Sequence, residues 1–146
     1  MVEITAMRGE IIEKSINIEW MLHAIISQHY FGQVRMNFVY EVLYDEYCSF
    51  ALKRRILFKV CPDLRSIEHQ LNRLNGIRNV FAHVGVRITS LEGDAVERTP
   101  SPRDFTKSID FEKLHEEFVD IESSLLPSLF AKYKEKGGEF STSSLV

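Results

Sequence analysis

Apolar residues recur at helical spacing along most of the chain. Near the N-terminus, isoleucines follow one another at every seventh position, at Ile4, Ile11, Ile18 and Ile25. This spacing keeps side chains on one face of an α-helix, so we predict a long helix over residues 3–31 that ends at Gly32. Ile12, Ile16 and Ile26 widen the apolar face, which favours packing against neighbours on two sides, with a second subunit as one candidate.

Two shorter helices are predicted next, over residues 35–47 and 50–60. In the first of them, five apolar side chains are predicted to face the core: Phe38, Val39, Val42, Leu43 and Tyr47. Pro62 and Asp63 then mark the end of one helix and the start of the next, because proline favours the first position of a helix. Residues 64–77 follow with the spacing of a clean amphipathic helix.

The last helix is predicted to begin at Phe111, with Asp110 or Ser108 as its N-terminal cap. Pro127 lies inside the apolar stripe of this helix. It predicts a kink or a split there, because proline lacks the amide that a helix interior uses. Gly137 is predicted to end the helix.

Residues 85–109 depart from helical spacing. Residues 86–89, Val-Arg-Ile-Thr, alternate between apolar and polar, which predicts a hairpin or an irregular insertion. We therefore predict an all-α, up-and-down bundle of about four or five helices, with this insertion before the last helix. Residues 1–137 would form a single helical domain, and the Ser-rich residues 138–146 a mobile C-terminal tail.

Composition indicates a globular protein and narrows its chemistry. A hydrophobic fraction of 45% in 146 residues is enough for a buried core. The formal net charge of −3 argues against nucleic-acid binding through bulk charge alone. Cys48 and Cys61 lack zinc-ligand spacing and are predicted to be free thiols in a reducing compartment. The pattern contains neither a leader peptide nor a membrane-spanning run, so we expect a cytoplasmic protein.

Residues 78–83, Arg-Asn-Val-Phe-Ala-His, are the chemically richest segment. The planar guanidinium of Arg suits phosphate oxygens, and an imidazole, which titrates at about pH 6.5, can transfer protons at working pH. The plainer interpretation is that Arg78 pairs with a carboxylate while Asn79 and His83 cap a helix C-terminus. Such termini favour these residue types for electrostatic reasons.

The two ionisable side chains of this segment do not share a face of an ideal helix. Arg78 points along the apolar stripe that runs from Ile67 to Phe81. His83 lies about 140° away from Arg78. Two arrangements would bring them together: a break or kink at Gly76, or a dimer axis across which Arg78 of one subunit meets His83 of the other.

The same string resembles the signature of the HEPN superfamily, in which an Arg, often followed by a polar residue such as Asn, precedes a His by a few positions. Four residues separate Arg78 from His83. The end of the first helix at residues 29–31, the basic-then-aliphatic stretch 53–57 and the Asn-rich stretch 72–75 are also similar to HEPN-like bacterial proteins. Those proteins include relatives of the mannitol operon repressor.

The resemblance implies a metal-independent endoribonuclease, a homodimer in which two Arg/His pairs face each other, that serves as a toxin or stress effector. It assigns catalysis to Arg78 and His83, with Asn79 as their polar neighbour, and it requires neither a metal nor a cofactor. Other HEPN-like proteins have lost catalysis. The alternative is therefore a catalytically inactive regulatory or protein-interaction module, and either form could have an antitoxin or regulatory partner.

Four further residues are candidates for contact with the RNA backbone: Lys53, Arg54, Arg55 and Asn75. The first three form a basic cluster on a short predicted helix. The plainer interpretation of this cluster is a solvated helix face. Four histidines without paired ligand spacing are predicted to be structural: His23, His29, His69 and His115.

Overall fold

The structure, a computed structural model, describes residues 4–91 and 109–140, and the side chains of residues 84–91 are outside the description. Within those ranges the chain is helical and forms no strand, which confirms the predicted all-α bundle. The helices are α1 (Ile4–Phe31), α2 (Met36–Phe38, continued by a π-helical turn, Val39–Leu43), α3 (Phe50–Val60), a 3₁₀ segment (Pro62–Ile67), α4 (Glu68–Leu91) and α5 (Phe111–Glu135).

Helix α1 is the centre of the bundle and packs against α3, α4 and α5. Its predicted stripe is confirmed for Ile11, Ile18 and Ile25, which are completely buried, as is Leu22 between them, while Ile4 is half-buried. Each completely buried side chain stabilises the fold by about 2 kcal/mol relative to its exposed state. The buried arc is narrower than predicted on one side, where Ile16 is 52% exposed. The apolar face of α1 is thus wider than the surface that its neighbours cover, and about half of Ile16 is in contact with solvent.

Two helix starts follow directly from their capping residues. Ser49 precedes α3 and accepts a hydrogen bond from the Leu52 amide at 3.1 Å. Asp110 precedes α5 and accepts one from the Lys113 amide at 3.1 Å, so the predicted Asp110 cap is confirmed. Helix α5 ends at Glu135, and Gly137 follows with a φ of 92°, a conformation that favours glycine. The helix remains continuous through Pro127, so the predicted split there is wrong.

Helix α2 differs most from its prediction. The regular α-helical turns end at Phe38, and Val39–Leu43 winds as a π-helix before the chain turns at Tyr44. Val39 and Leu43 are buried as predicted, but Val42 is 48% exposed and Tyr47 is 84% exposed. A π-turn holds more residues than an α-turn, so it rotates the later side chains away from the predicted face.

The predicted insertion over residues 85–109 begins too early. Helix α4 continues to Leu91, so the interpretation of residues 86–89 as a hairpin strand is wrong. Residues 92–108 lie outside the described residues. Extending an existing helix adds about one hydrogen bond per ordered residue, so a short alternating run does not end it.

The predicted mobile tail begins with ordered contacts. Phe140 packs edge-on against Phe130 and Tyr133, with ring centroids 5.0 and 5.1 Å apart. Gly138 is buried, and the ring of Tyr133 lies directly against it. The first residues of the predicted tail therefore belong to the bundle, and residues 1–3 and 141–146 lie outside the described residues.

Candidate active site on helix α4

Helix α4 carries the Arg78–His83 segment on a continuous helix. Its core face consists of four side chains that are at most 1% exposed: Leu71, Leu74, Ile77 and Phe81. Ile67, which defined one end of the predicted stripe, belongs to the preceding 3₁₀ segment. The centre of the buried arc therefore shifts toward Ile77. Arg78 lies near one edge of that arc and is half-buried, so a side chain predicted to point along the apolar stripe is only partly removed from solvent.

Asn79 and His83 are exposed, on the other side of α4 from the core. The helix runs through Gly76 without interruption, so the predicted break at Gly76 is wrong. A continuous helix keeps Arg78 and His83 about 140° apart. Within one chain, the two side chains therefore point in different directions, and of the two predicted arrangements only a dimer would bring them together.

Helix α3 adds a cation to the polar face of α4. The Arg54 guanidinium donates a hydrogen bond to Oδ1 of Asn72. Asn72 shares its face of α4 with Asn79 and His83, because these residues lie within about 40° of one another around the helix axis. Asn75 is half-buried on the flank of the same face. The link from Arg54 to Asn72 was not predicted, although the sequence placed both residues in the stretches that resemble HEPN proteins.

Lys53 does not belong to this polar face. Its side chain is 4% exposed, and its Nζ lies 2.5 Å from Oε1 of Glu19 on α1. The ammonium also lies 5.4 Å from the centre of the Tyr44 ring. Lys53 is therefore not accessible to an RNA backbone, which corrects its inclusion in the candidate RNA-binding set. Arg55, by contrast, is exposed.

A buried polar cluster surrounds the Lys53–Glu19 pair and was not predicted as a unit. His23 is completely buried, with its Nε2 3.8 Å from Oε1 of Glu19 and its ring 4.5 Å from that of Tyr44. Neither ring nitrogen of His23 has a hydrogen-bond partner in the described ranges. Burial, helped by the positive charge of Lys53, lowers the pKa of His23 to about 4. The imidazole is therefore neutral near neutral pH, and the prediction that His23 is structural agrees with this burial. The sequence signal was the spacing of Glu19 and His23, one helical turn apart.

Two of the other histidines make contacts that hold helices together. His115 on α5 lies 2.7 Å from Oε2 of Glu10 on α1, and this hydrogen bond lowers the pKa of Glu10. Nδ1 of His29 lies 3.0 Å from the Lys136 ammonium. Burial and then that positive charge lower the pKa of His29. His69 is exposed on α4 and offers a surface histidine for comparison with His83.

Other kinds of site have little support in the described ranges. No group of three or more His, Cys, Asp or Glu side chains there is arranged to hold a metal ion. Both cysteines are free, as predicted, with Cys61 buried and Cys48 half-buried. No described helix combines the length and the apolar character that a bilayer span requires.

Comparison with known proteins adds no relative. No family model, no curated protein and no solved structure matches the chain. The assignment of a function therefore depends on the residues of α4 and their geometry.

Proposed function

We propose that the protein is a HEPN-like, metal-independent endoribonuclease that acts as a homodimer. The observation that supports this most directly is the position of two side chains on α4. A half-buried Arg78 and an exposed His83 lie on the same continuous helix, with the exposed Asn79 between them. An arginine at the edge of a core has restricted freedom, which suits the fixed binding of a phosphate.

The proposed reaction uses the RNA itself as the nucleophile. A His83 imidazole takes the proton from a 2′-OH, whose oxygen forms a new bond to the adjacent phosphorus. The bond from phosphorus to the 5′ oxygen breaks, and a protonated imidazole gives a proton to that leaving oxygen. The products are a 2′,3′-cyclic phosphate and a 5′-OH. Arg78 stabilises the added negative charge on the phosphate oxygens.

The separation of the two side chains supports the homodimer as part of the proposal. Arg78 and His83 of one chain face directions about 140° apart, so one chain cannot direct both at the same phosphate. A two-fold axis beside α4 would set Arg78 of one subunit against His83 of the other. It would also supply two imidazoles, one as the general base and one as the general acid.

The test is RNA cleavage in the presence of EDTA. We expect the wild-type protein to cut single-stranded RNA to fragments with 2′,3′-cyclic phosphate ends, and Arg78→Ala or His83→Ala to lower the rate by about 10²–10⁴-fold. His69→Ala is the matched control, because His69 is an exposed histidine on the same helix. Cleavage that survives in both site variants would identify a contaminating nuclease and contradict the proposal.

A second function is favoured if the protein is a monomer. The separation of Arg78 and His83 within one chain would then leave the site incomplete, and the protein would be a catalytically inactive HEPN-like regulatory module. Sedimentation velocity of the same preparation distinguishes the two. A dimer that cleaves RNA supports the nuclease, whereas a monomer without cleavage supports the regulatory module.

A further inference from the structure

An apolar groove of about 450 Å³ lies between the C-terminal part of α1, α2 and α3. Its floor includes Ile26 and Leu43, which are each 1% exposed and belong to a small core cluster separate from the main one. Its walls include the aromatic rings of Tyr30, Phe38 and Tyr47. None of the groove residues belongs to the candidate active site.

The groove lies within the largest concentration of exposed apolar surface in the described part of the chain. Eleven large hydrophobic side chains are exposed there, and eight of them lie between residues 30 and 52. Soluble proteins rarely leave large apolar side chains grouped in this way unless the surface has a binding role. Tyr47, at 84% exposed, contributes nearly its whole ring to the surface.

The rim of the groove is acidic. Glu41 and Asp45 line it, and Glu46 is exposed beside them. Residues 36–52 contain these three carboxylates and neither Lys nor Arg. No Lys, Arg or His side chain in the described ranges forms an ion pair with any of the three. Such a rim repels nucleic-acid phosphates and attracts cations, and exposed tyrosine rings also bind cations on their faces.

We propose that this groove binds a cationic amphipathic segment of a partner protein. Apolar anchors of that segment would fill the space above Ile26 and Leu43. Lys or Arg residues on either side of the anchors would pair with Glu41 and Asp45, and one would stack on Tyr47. The charge of the rim selects this occupant over RNA and over an uncharged apolar peptide.

The experiment uses fluorescein-labelled synthetic peptides of about 14 residues, or four helical turns, and measures binding to the full chain by fluorescence anisotropy. One peptide places Leu on one helical face and Lys on the other. A second has the same composition in a scrambled order, and a third replaces Lys by Glu. We expect the amphipathic Leu/Lys peptide to bind at least about tenfold more tightly than either of the others.

Two variants of the groove locate the binding. The charge reversal Glu41→Lys with Asp45→Lys, and separately Tyr47→Ala, are each expected to weaken binding of the Leu/Lys peptide by about tenfold or more. The matched control is Glu116→Lys with Asp120→Lys on α5, which changes the net charge equally at two exposed positions and should leave binding unchanged. All the altered side chains are exposed, but Oδ1 of Asp45 accepts a hydrogen bond from the Tyr47 amide at 2.9 Å. Glu41→Lys alone spares that bond, so it should also weaken binding while its melting temperature stays close to that of the wild type.

Three results would overturn the proposal. The first is equal binding of the amphipathic and scrambled peptides, and the second is equal loss of binding in the groove and control variants. The third is a concentration-dependent self-association that Tyr47→Ala removes, because it would make a second copy of this chain the occupant.

Discussion

Two histidines, His23 on α1 and His83 on α4, have opposite surroundings. His23 is completely buried against Glu19, Lys53 and Tyr44, while His83 is exposed on the polar face of its helix. Burial lowers the pKa of His23 to about 4, so this imidazole is neutral and cannot exchange protons with a substrate in solution. The same residue type therefore belongs to the interior in one helix and is exposed to solvent in the other.

The two histidines differ in burial because their helices pack differently against the rest of the protein. Helix α1 packs against three other helices, so nearly every direction from its C-terminal half leads into the protein, and residues 21–28 are all buried. Helix α4 buries one arc and leaves the opposite face in solvent. His83 is accessible to a substrate because the described residues bury only one face of α4.

The largest expected effect is a difference in RNA cleavage between variants of the two histidines. His83→Ala should lower kcat for RNA cleavage by about 10²–10⁴-fold, because general acid–base catalysis supplies that much of the rate. His23→Leu should leave kcat unchanged at neutral pH, since that imidazole does not reach the surface. Initial rates with a fluorogenic RNA substrate in EDTA measure both. A similar loss of kcat in both variants would contradict a catalytic role that belongs to His83 and not to His23.

The next largest effect is expected beside His23. Glu19→Gln removes the partner of Lys53 and leaves a buried ammonium uncompensated, which should lower the free energy of unfolding by about 3 kcal/mol. Glu13→Gln, at an exposed position of the same helix, should change it little. Adding Lys53→Met to Glu19→Gln should restore most of the loss, since no unpaired charge then remains. Urea denaturation measures all four proteins, and equal effects at Glu19 and Glu13 would contradict the buried pair.

The pH dependence of stability sharpens the contrast further. The pKa of His23 is lower in the folded protein than in the unfolded chain, so acid protonates the unfolded chain first. The contribution of His23 to the free energy of unfolding is therefore complete above about pH 6.5 and is lost as the pH falls toward 4. The loss between pH 7 and pH 5 should be about 2 kcal/mol. The His23→Leu protein should show a correspondingly flatter profile in urea titrations over this range. Asn79→Ala, at an exposed position without a titratable group, is the control, and its profile should match that of the wild type.

The smallest expected effect concerns the exposed side of α4. A Cβ added at Gly76 meets nothing within 4 Å, so Gly76→Ala should raise the free energy of unfolding by about 1 kcal/mol through helix propensity. The same methyl group should weaken a dimer that places a second subunit against this face. Urea denaturation and sedimentation velocity measure the two effects. Stabilisation with an unchanged dimer would place the dimer axis elsewhere.

The elements that the sequence predicted well are those with strong local signals. The isoleucine repeat of α1 and the Asp110 cap of α5 both have short-range causes, and both agree with the structure. The prediction of a hairpin at residues 86–89 is wrong, because α4 continues through them. Each β-branched residue weakens a helix by only a few tenths of a kcal/mol, which is too little to end a helix that has already formed.

Side-chain partners were much harder to predict than helices. Lys53 looked like its neighbours Arg54 and Arg55, since all three belong to one basic cluster. Only the approach of α1 to α3 shows that Lys53 points at Glu19 while Arg54 reaches Asn72 on α4. The half-burial of Arg78 likewise depends on how neighbouring helices pack against α4, which the apolar spacing along one helix does not show.

The π-helical turn at Val39–Leu43 makes the apolar groove tolerant of a change in chain length. A π-helical turn uses more residues than an α-helical turn for the same rotation, so deleting one residue within it would restore α-helical winding and leave the side chains that follow facing as before. The same deletion in an uninterrupted α-helix would rotate every later side chain by about 100° around the axis. Loss of a single codon within this turn would therefore leave the later wall of the groove, including Tyr47, in place.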